Sequence, residues 1–116
     1  MATNPVTGVH YKPNVFPTRI EIRYNQNWPD CLIYGFKPTD ETKLVATVTI
    51  GVHTYETDVD VCERIFRMFN VVEGHETPVV LGIRSMCVGD LVVIDNVVYA
   101  CQNVGFIKVE GDYPIV

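Results

Sequence analysis

Arg84, Ser85 and Asp90 are the side chains whose types and spacing best suit the gripping of a ligand. They offer a guanidinium for an anion, and a hydroxyl and a carboxylate for polar contacts, in the run Arg84-Ser85-Met86-Cys87-Val88-Gly89-Asp90. The same residues can instead form a salt bridge or turn-capping network around Gly89, which supplies an unusual backbone conformation. Asp and Gly are common turn residues, so the scaffold reading carries more weight than the ligand reading.

Catalytic chemistry finds less support. Cys87 or Ser85 with one of the histidines is the least strained nucleophile-base pair, but nothing in the sequence activates the thiol. There is no Gly-rich phosphate loop, nucleotide fingerprint or nucleophile elbow. His10, His53 and His75 lack metal-ligand spacing, and His75-Glu76 fails the His-Glu-x-x-His pattern because residue 79 is Val. Buried Cys and surface His are the default over a tertiary cluster such as Cys31 with His53. The expectation is a protein without catalytic residues, metal or cofactor.

A length of 116 residues fits one domain, and 47% hydrophobic against 20% charged residues is a globular balance. The net charge of −5 repels phosphate backbones and argues against ordinary nucleic-acid binding. Glu56, Asp58, Asp60 and Glu63 fall close together, as acids at a helix N-terminus do. Cys31, Cys62, Cys87 and Cys101 form no Cys-x-x-Cys pair and read as free, mostly buried thiols of a reducing compartment. Two disulfides would fit a secreted protein. The first thirty residues, however, lack an apolar signal core and no apolar run is long enough to cross a bilayer, so the expected location is the cytoplasm, the host's if the protein is viral.

The elements that would position these groups follow from periodicity. Residues 1–18, with Pro5, Gly8, Pro13 and Pro17, read as an irregular arm able to wrap the body through Val9, Tyr11, Val15 and Phe16, and residues 19–116 as a single α+β domain. Arg19 to Tyr24 alternates as a half-buried strand, Cys31 to Phe36 reads as a second, and Leu44 to Tyr55 as a third with Leu44, Ala46, Val48, Ile50 and Val52 on one face. Between Asp60 and Asn70 the period changes to that of a helix, with Cys62, Ile65, Phe66 and Phe69 on one face and Asp60 as N-cap with Glu63 three residues on. Val71 to Pro78 reads as a loop and Val79 to Ile83 as another strand.

Leu91 to Ile94 and Val97 to Cys101 flank Asp95-Asn96, a two-residue hairpin turn that sets Ile94 opposite Val97, Val93 opposite Val98 and Val92 opposite Tyr99. Both faces of that ribbon are apolar and both need cover. Asn103 to Gly105 turns the chain into a last strand, Phe106 to Glu110, with Ile107 and Val109 on one face. The fold class is therefore α+β: a small antiparallel sheet or partly closed barrel with one amphipathic helix near residues 60–70. Tyr55 and Phe106 fall on otherwise polar faces and are candidates for a partner interface.

Arg84-Ser85, Val88-Gly89-Asp90, the strand to Ile94, Tyr99 and Gly105-Phe106, with the helix ending Phe66 to Asn70, together resemble the small YodL-like proteins of bacteriophages and mobile elements. Those proteins show Arg-Ser-Leu-Ser-Val, Gly or Ser, then Asp before a valine-rich strand; here Met86 and Cys87 replace the usual Leu and Ser. The resemblance spans about the last half of the chain. It implies an accessory protein of a mobile genome, without established chemistry or cofactor; together with the acidic charge and the absent catalytic motifs it gives the expectation of a non-catalytic protein that binds a host or self protein. Gly89-Asp90 opening a strand is also similar to the PUA or ASCH type of barrel, which implies nucleotide or nucleic-acid binding at Arg84. Unpaired strand edges of so small a sheet suggest a homodimer.

Overall fold

Asp95 and Asn96 have φ of 49° and 67°, the positive pair that a two-residue type I′ turn requires. They join β3 (Leu91–Ile94) to β4 (Val97–Cys101) in the register the spacing predicts, with Ile94 opposite Val97 and Val92 opposite Tyr99. The computed structural model describes residues 15–70 and 77–110. Around the hairpin lie β1 (Val15–Asn25), α1 (Cys31–Tyr34), β2 (Thr42–His53), α2 (Asp58–Met68), α3 (Thr77–Leu81) and β5 (Phe106–Lys108). The five strands form one antiparallel sheet in the order β2-β1-β3-β4-β5. The sheet is open, with β2 and β5 as its edges, so the α+β expectation holds as a sheet and not as a partly closed barrel.

The ribbon is buried on both sides. Val92, Ile94 and Tyr99 join Ile20, Ile22, Val61, Cys62, Ile65, Phe69 and Met86 in the larger core under α2, while Leu91, Val93, Val98 and Ala100 form a second layer with Phe36 and Val109. Helix α2 lies over β3 and β5. Its Phe69 has no solvent exposure, and burial of such a ring contributes about 1.5–3 kcal/mol. Thr57, not Asp60, is the N-cap: its hydroxyl accepts from the Asp60 amide while the Asp60 carboxylate accepts from the Thr57 amide. Asp60 is thus the third residue of a capping box begun by the threonine.

Four further expectations need correction. The arm reading of residues 1–18 fails at Val15 and Phe16, which already pair with His53 and Val52 in β1; residues 1–14 lie outside the described residues. Cys31 to Phe36 is not a strand. Its first four residues make the single turn of α1, whose amides bond to carbonyls of the same loop, Cys31 to Asn27 and Ile33 to Asp30, so no neighbouring strand is needed. Val79 to Ile83 is not a strand either: Pro78 sits in the first turn of α3, where its missing N–H costs nothing, and Gly82, at φ 70°, ends the helix. In β2 a register shift at Val45 places Leu44 opposite Arg23, on the other face from Ala46, Val48 and Ile50. The loop expected at Val71 to Pro78 falls mostly at residues 71–76, outside the described residues.

Candidate functional site

Gly89 fixes the corner before β3. Its φ is 95°, and a Cβ there would lie 2.6 Å from the Cβ of Cys31, so the corner must be glycine both for its backbone and for its approach to α1. The turn delivers Asp90 into the interior with no solvent exposure. One carboxylate oxygen, Oδ1, accepts from the Asn25 amide and from Arg84 Nη2, both at 2.9 Å; Oδ2 accepts from Arg84 Nη1 at 2.6 Å and from the Cys87 amide at 2.9 Å. This is a bidentate guanidinium-carboxylate pair with both remaining acceptor sites filled by backbone.

Arg84 is held on its other sides too. Its guanidinium carbon stands 4.3 Å from the ring centre of Tyr24 and 5.6 Å from that of Trp28. Nη1 also reaches the Ser85 carbonyl and lies 3.0 Å from Cys87 Sγ, and the Tyr24 hydroxyl donates to the Arg84 carbonyl. Behind the pair, the Asn25 side-chain amide donates to Asp40 Oδ2 and to the Gly89 carbonyl, while its Oδ1 accepts from the Asn27 amide. Asp40 closes the far end by accepting from the Lys37 amide and from Asn27 Nδ2. Residues 25–40 are thereby tied at both ends to the end of β1 and to the Gly89-Asp90 corner.

Burial and the charge of Asp90 set the titration of the groups around the pair. Burial, then the Asp90 charge, pushes the Cys87 thiol up to about 12 against an opposing effect of Arg84, so it stays protonated at neutral pH. Burial and Asp90 raise Cys31 and Tyr24 as well. Burial works against the Arg84 charge, but the hydrogen bonds and charge of Asp90 outweigh it and hold the guanidinium above its ordinary value. All four cysteines are free thiols. Among the described residues no three His, Cys, Asp or Glu side chains gather as metal ligands.

At the surface of the loop, large apolar side chains stand among the exposed Gln26, Asn27, Asp30 and Lys37. Trp28 is 50% exposed, Ile33 77% and Tyr34 64%, with Leu32 beside them on α1. Ile33 and Tyr34 border a shallow depression of about 390 Å³ whose far wall is Val88, Asn103 and the fully projecting Val104. Lys37 Nζ sits over the Tyr34 ring, 4.5 Å from its centre.

Of the residues singled out from sequence, the structure brings Arg84 and Asp90 together, and Ser85 contributes its carbonyl to Arg84. Tyr55 and Phe106 are not part of this cluster: Tyr55 follows β2 and Phe106 opens β5, the strands at opposite edges of the sheet. Tyr55 is exposed and stacked on His53 at 4.9 Å. Phe106 is half-buried, edge-on to Phe66 at 6.4 Å, and belongs to the rim of the core. His10 and His75 lie outside the described residues. Sequence reasoning missed Tyr24, Asn25, Trp28 and Asp40 as members of the network. An Asn ending an apolar alternation and an Asp closing the Pro38-Thr39 turn were the available signals.

Among the described residues no helix is long and apolar enough to cross a membrane. Comparison of the chain with protein-family models, with curated proteins and with solved structures yields no match.

Proposed function

We propose that this protein is a non-catalytic binding module, an accessory protein of the bacteriophage and mobile-element kind, which engages another protein through the apolar surface of α1. The observation that carries this reading is the contrast between the two layers of the site. Below, the groups able to do chemistry are used on one another: Asp90 accepts from Arg84 twice, from two backbone amides and from the Cys87 thiol, and Cys87 is a protonated thiol. Above, Trp28, Leu32, Ile33 and Tyr34 stand in water on a loop that this network anchors. Rigid aromatic and aliphatic side chains on a fixed loop are the usual anchors of a protein interface. The mobile-element assignment rests on the resemblance at Arg84-Ser85, Val88-Gly89-Asp90 and Gly105-Phe106.

The test compares the native chain with Ile33→Asp and with Lys108→Ala, a surface change on β5, in affinity capture from bacterial lysate followed by binding titration of any captured protein. A partner held by the native chain and by Lys108→Ala but lost by Ile33→Asp supports the reading. The opposing result is a nucleotide that raises the melting temperature and perturbs the fluorescence of Trp28, the sole tryptophan. That outcome would favour the nucleotide-binding alternative, in which a ligand stacks on Trp28 beside the partly exposed Arg84.

A further inference from the structure

The two edges of the sheet differ. β5 has three residues, whereas β2 has twelve and, among the described residues, pairs on one side only, with β1. Long edges are normally blunted by charge, proline or cover. From Leu44 to Val52 β2 has neither charge nor proline, and its irregularity is confined to Val45 at the start.

Backbone alternation shows which groups face outward. The Cys101 amide donates to the Asp90 carbonyl, so residues 92 and 94 of β3 turn toward β4, and 91 and 93 toward β1. Through the β1–β3 register, Glu21 and Arg23 turn toward β3 and Ile20 and Ile22 toward β2. Their partners Val48 and Ala46 then face β1, which leaves the N–H and C=O groups of Thr47, Thr49 and Gly51 on the open side. The Gly51 carbonyl is closed by Arg64 Nη1 at 3.0 Å, and the open stretch is therefore centred on Thr47 to Thr49.

The apolar face of the same strand is also incompletely covered. Ala46, Val48 and Ile50 continue the core layer of Ile20 and Ile22, but α2 lies over β3 and β5, and these three side chains are only half-buried.

We propose that β2 is the interface of a homodimer in which two copies pair antiparallel about Val48, joining two sheets into one. The occupant is a second copy because the strand is complementary to itself. With Val48 opposite its own equivalent, Thr47 meets the partner's Thr49 in a pair that exchanges both backbone hydrogen bonds, and Ala46 meets the partner's Ile50 on the apolar face. No like charges oppose along Ala46 to Ile50, and a two-fold axis through Val48 closes the assembly. The surface is separate from α1 and stands or falls independently of it.

Sedimentation of the full chain at increasing concentration, together with amide hydrogen exchange, tests this. The expected result is a shift to twice the 13.1 kDa monomer mass, with concentration-dependent protection of the Thr47 and Thr49 amides. Both threonines are exposed, so Thr47→Lys with Thr49→Lys, and separately Thr47→Glu with Thr49→Glu, are each expected to remain monomeric, and their equimolar mixture to dimerise. A native chain that stays monomeric into the high micromolar range, a dimer without new protection of those amides, or charged variants that self-associate like the native chain would overturn the proposal. Hydrogen exchange on the unaltered chain decides the matter even if the charged variants fail to fold.

Discussion

Arg84 and Asp90 meet through two hydrogen bonds of 2.6 and 2.9 Å, with the carboxylate wholly out of water and the guanidinium side chain 27% exposed. Geometry, not charge alone, defines this pair. The fork of Arg84 spans both carboxylate oxygens while its guanidinium carbon stands over the Tyr24 ring, and an ammonium group cannot reproduce the two-pronged pairing. Arg84→Lys is therefore expected to cost about 1.5–3 kcal/mol in urea unfolding despite retaining the charge. A loss under about 0.5 kcal/mol would mean that the pair acts as simple charge neutralisation.

Gly89→Ala meets both a positive φ and the Cβ of Cys31. The expected loss of stability is about 2–4 kcal/mol, combining backbone strain with overpacking. Cys31→Ala in the same chain removes the sulfur but leaves the Cβ at 2.6 Å, so it should give little relief; full rescue, read by thermal melting, would show that the sulfur alone limits the approach.

Alkaline pH should weaken the fold from about the pKa of a free thiol upward. Cys62, Cys87 and Cys101 are each pushed up to about 12 from an ordinary 9.0, chiefly by burial, and Cys31 is raised too. Above pH 9.0 the unfolded chain loses protons that the folded chain keeps, so the unfolded state is favoured; below it both states hold the proton and stability is flat. Urea midpoints measured from neutral pH to above 10.0, where Tyr99, also raised to about 12 from 10.0, begins to add, should fall progressively. Cys62→Ala should flatten that fall while lowering stability at neutral pH.

Tyr99 donates to Asp58 at 2.6 Å, linking the central hairpin to the first turn of α2. Tyr99→Phe keeps the ring and deletes this bond, with an expected cost of about 1–2 kcal/mol. Thr57→Ala, which removes the cap of the same helix, should cost about 1 kcal/mol. Because both act on one helix end, calorimetry of the double variant should show a loss smaller than the sum.

The central ribbon was legible because its information is local. Asp95-Asn96 sets the turn, and apolar residues on both faces of Leu91 to Ile94 require cover whatever supplies it. Helix α2 was legible for the same reason, by the spacing of Cys62, Ile65 and Phe69, although the threonine before the acids was overlooked as its cap. The segments misread as strands, Cys31 to Phe36 and Val79 to Ile83, are short apolar runs whose period does not separate strand from helix. Trp28-Pro29 and Pro78 decide them, by turning the chain so that Leu32, Ile33, Val79 and Val80 face solvent. At the site, Arg84 and Asp90 are close in sequence and their pairing could be anticipated. Asn25 and Asp40 are 65 and 50 positions from Asp90, and only the fold brings them to it.

The Arg84–Asp90 pair is an internal support for the exposed α1 loop. A double-mutant cycle of Arg84→Ala and Asp90→Ala, followed by Trp28 fluorescence in urea, measures it directly. The account predicts that Arg84→Ala alone, which strands a buried carboxylate, costs about 3–5 kcal/mol, and that the two changes are coupled by about 2–3 kcal/mol. Two single losses under about 1 kcal/mol that simply add would show that neither residue supports the fold, and would return both to the role of ligand contacts.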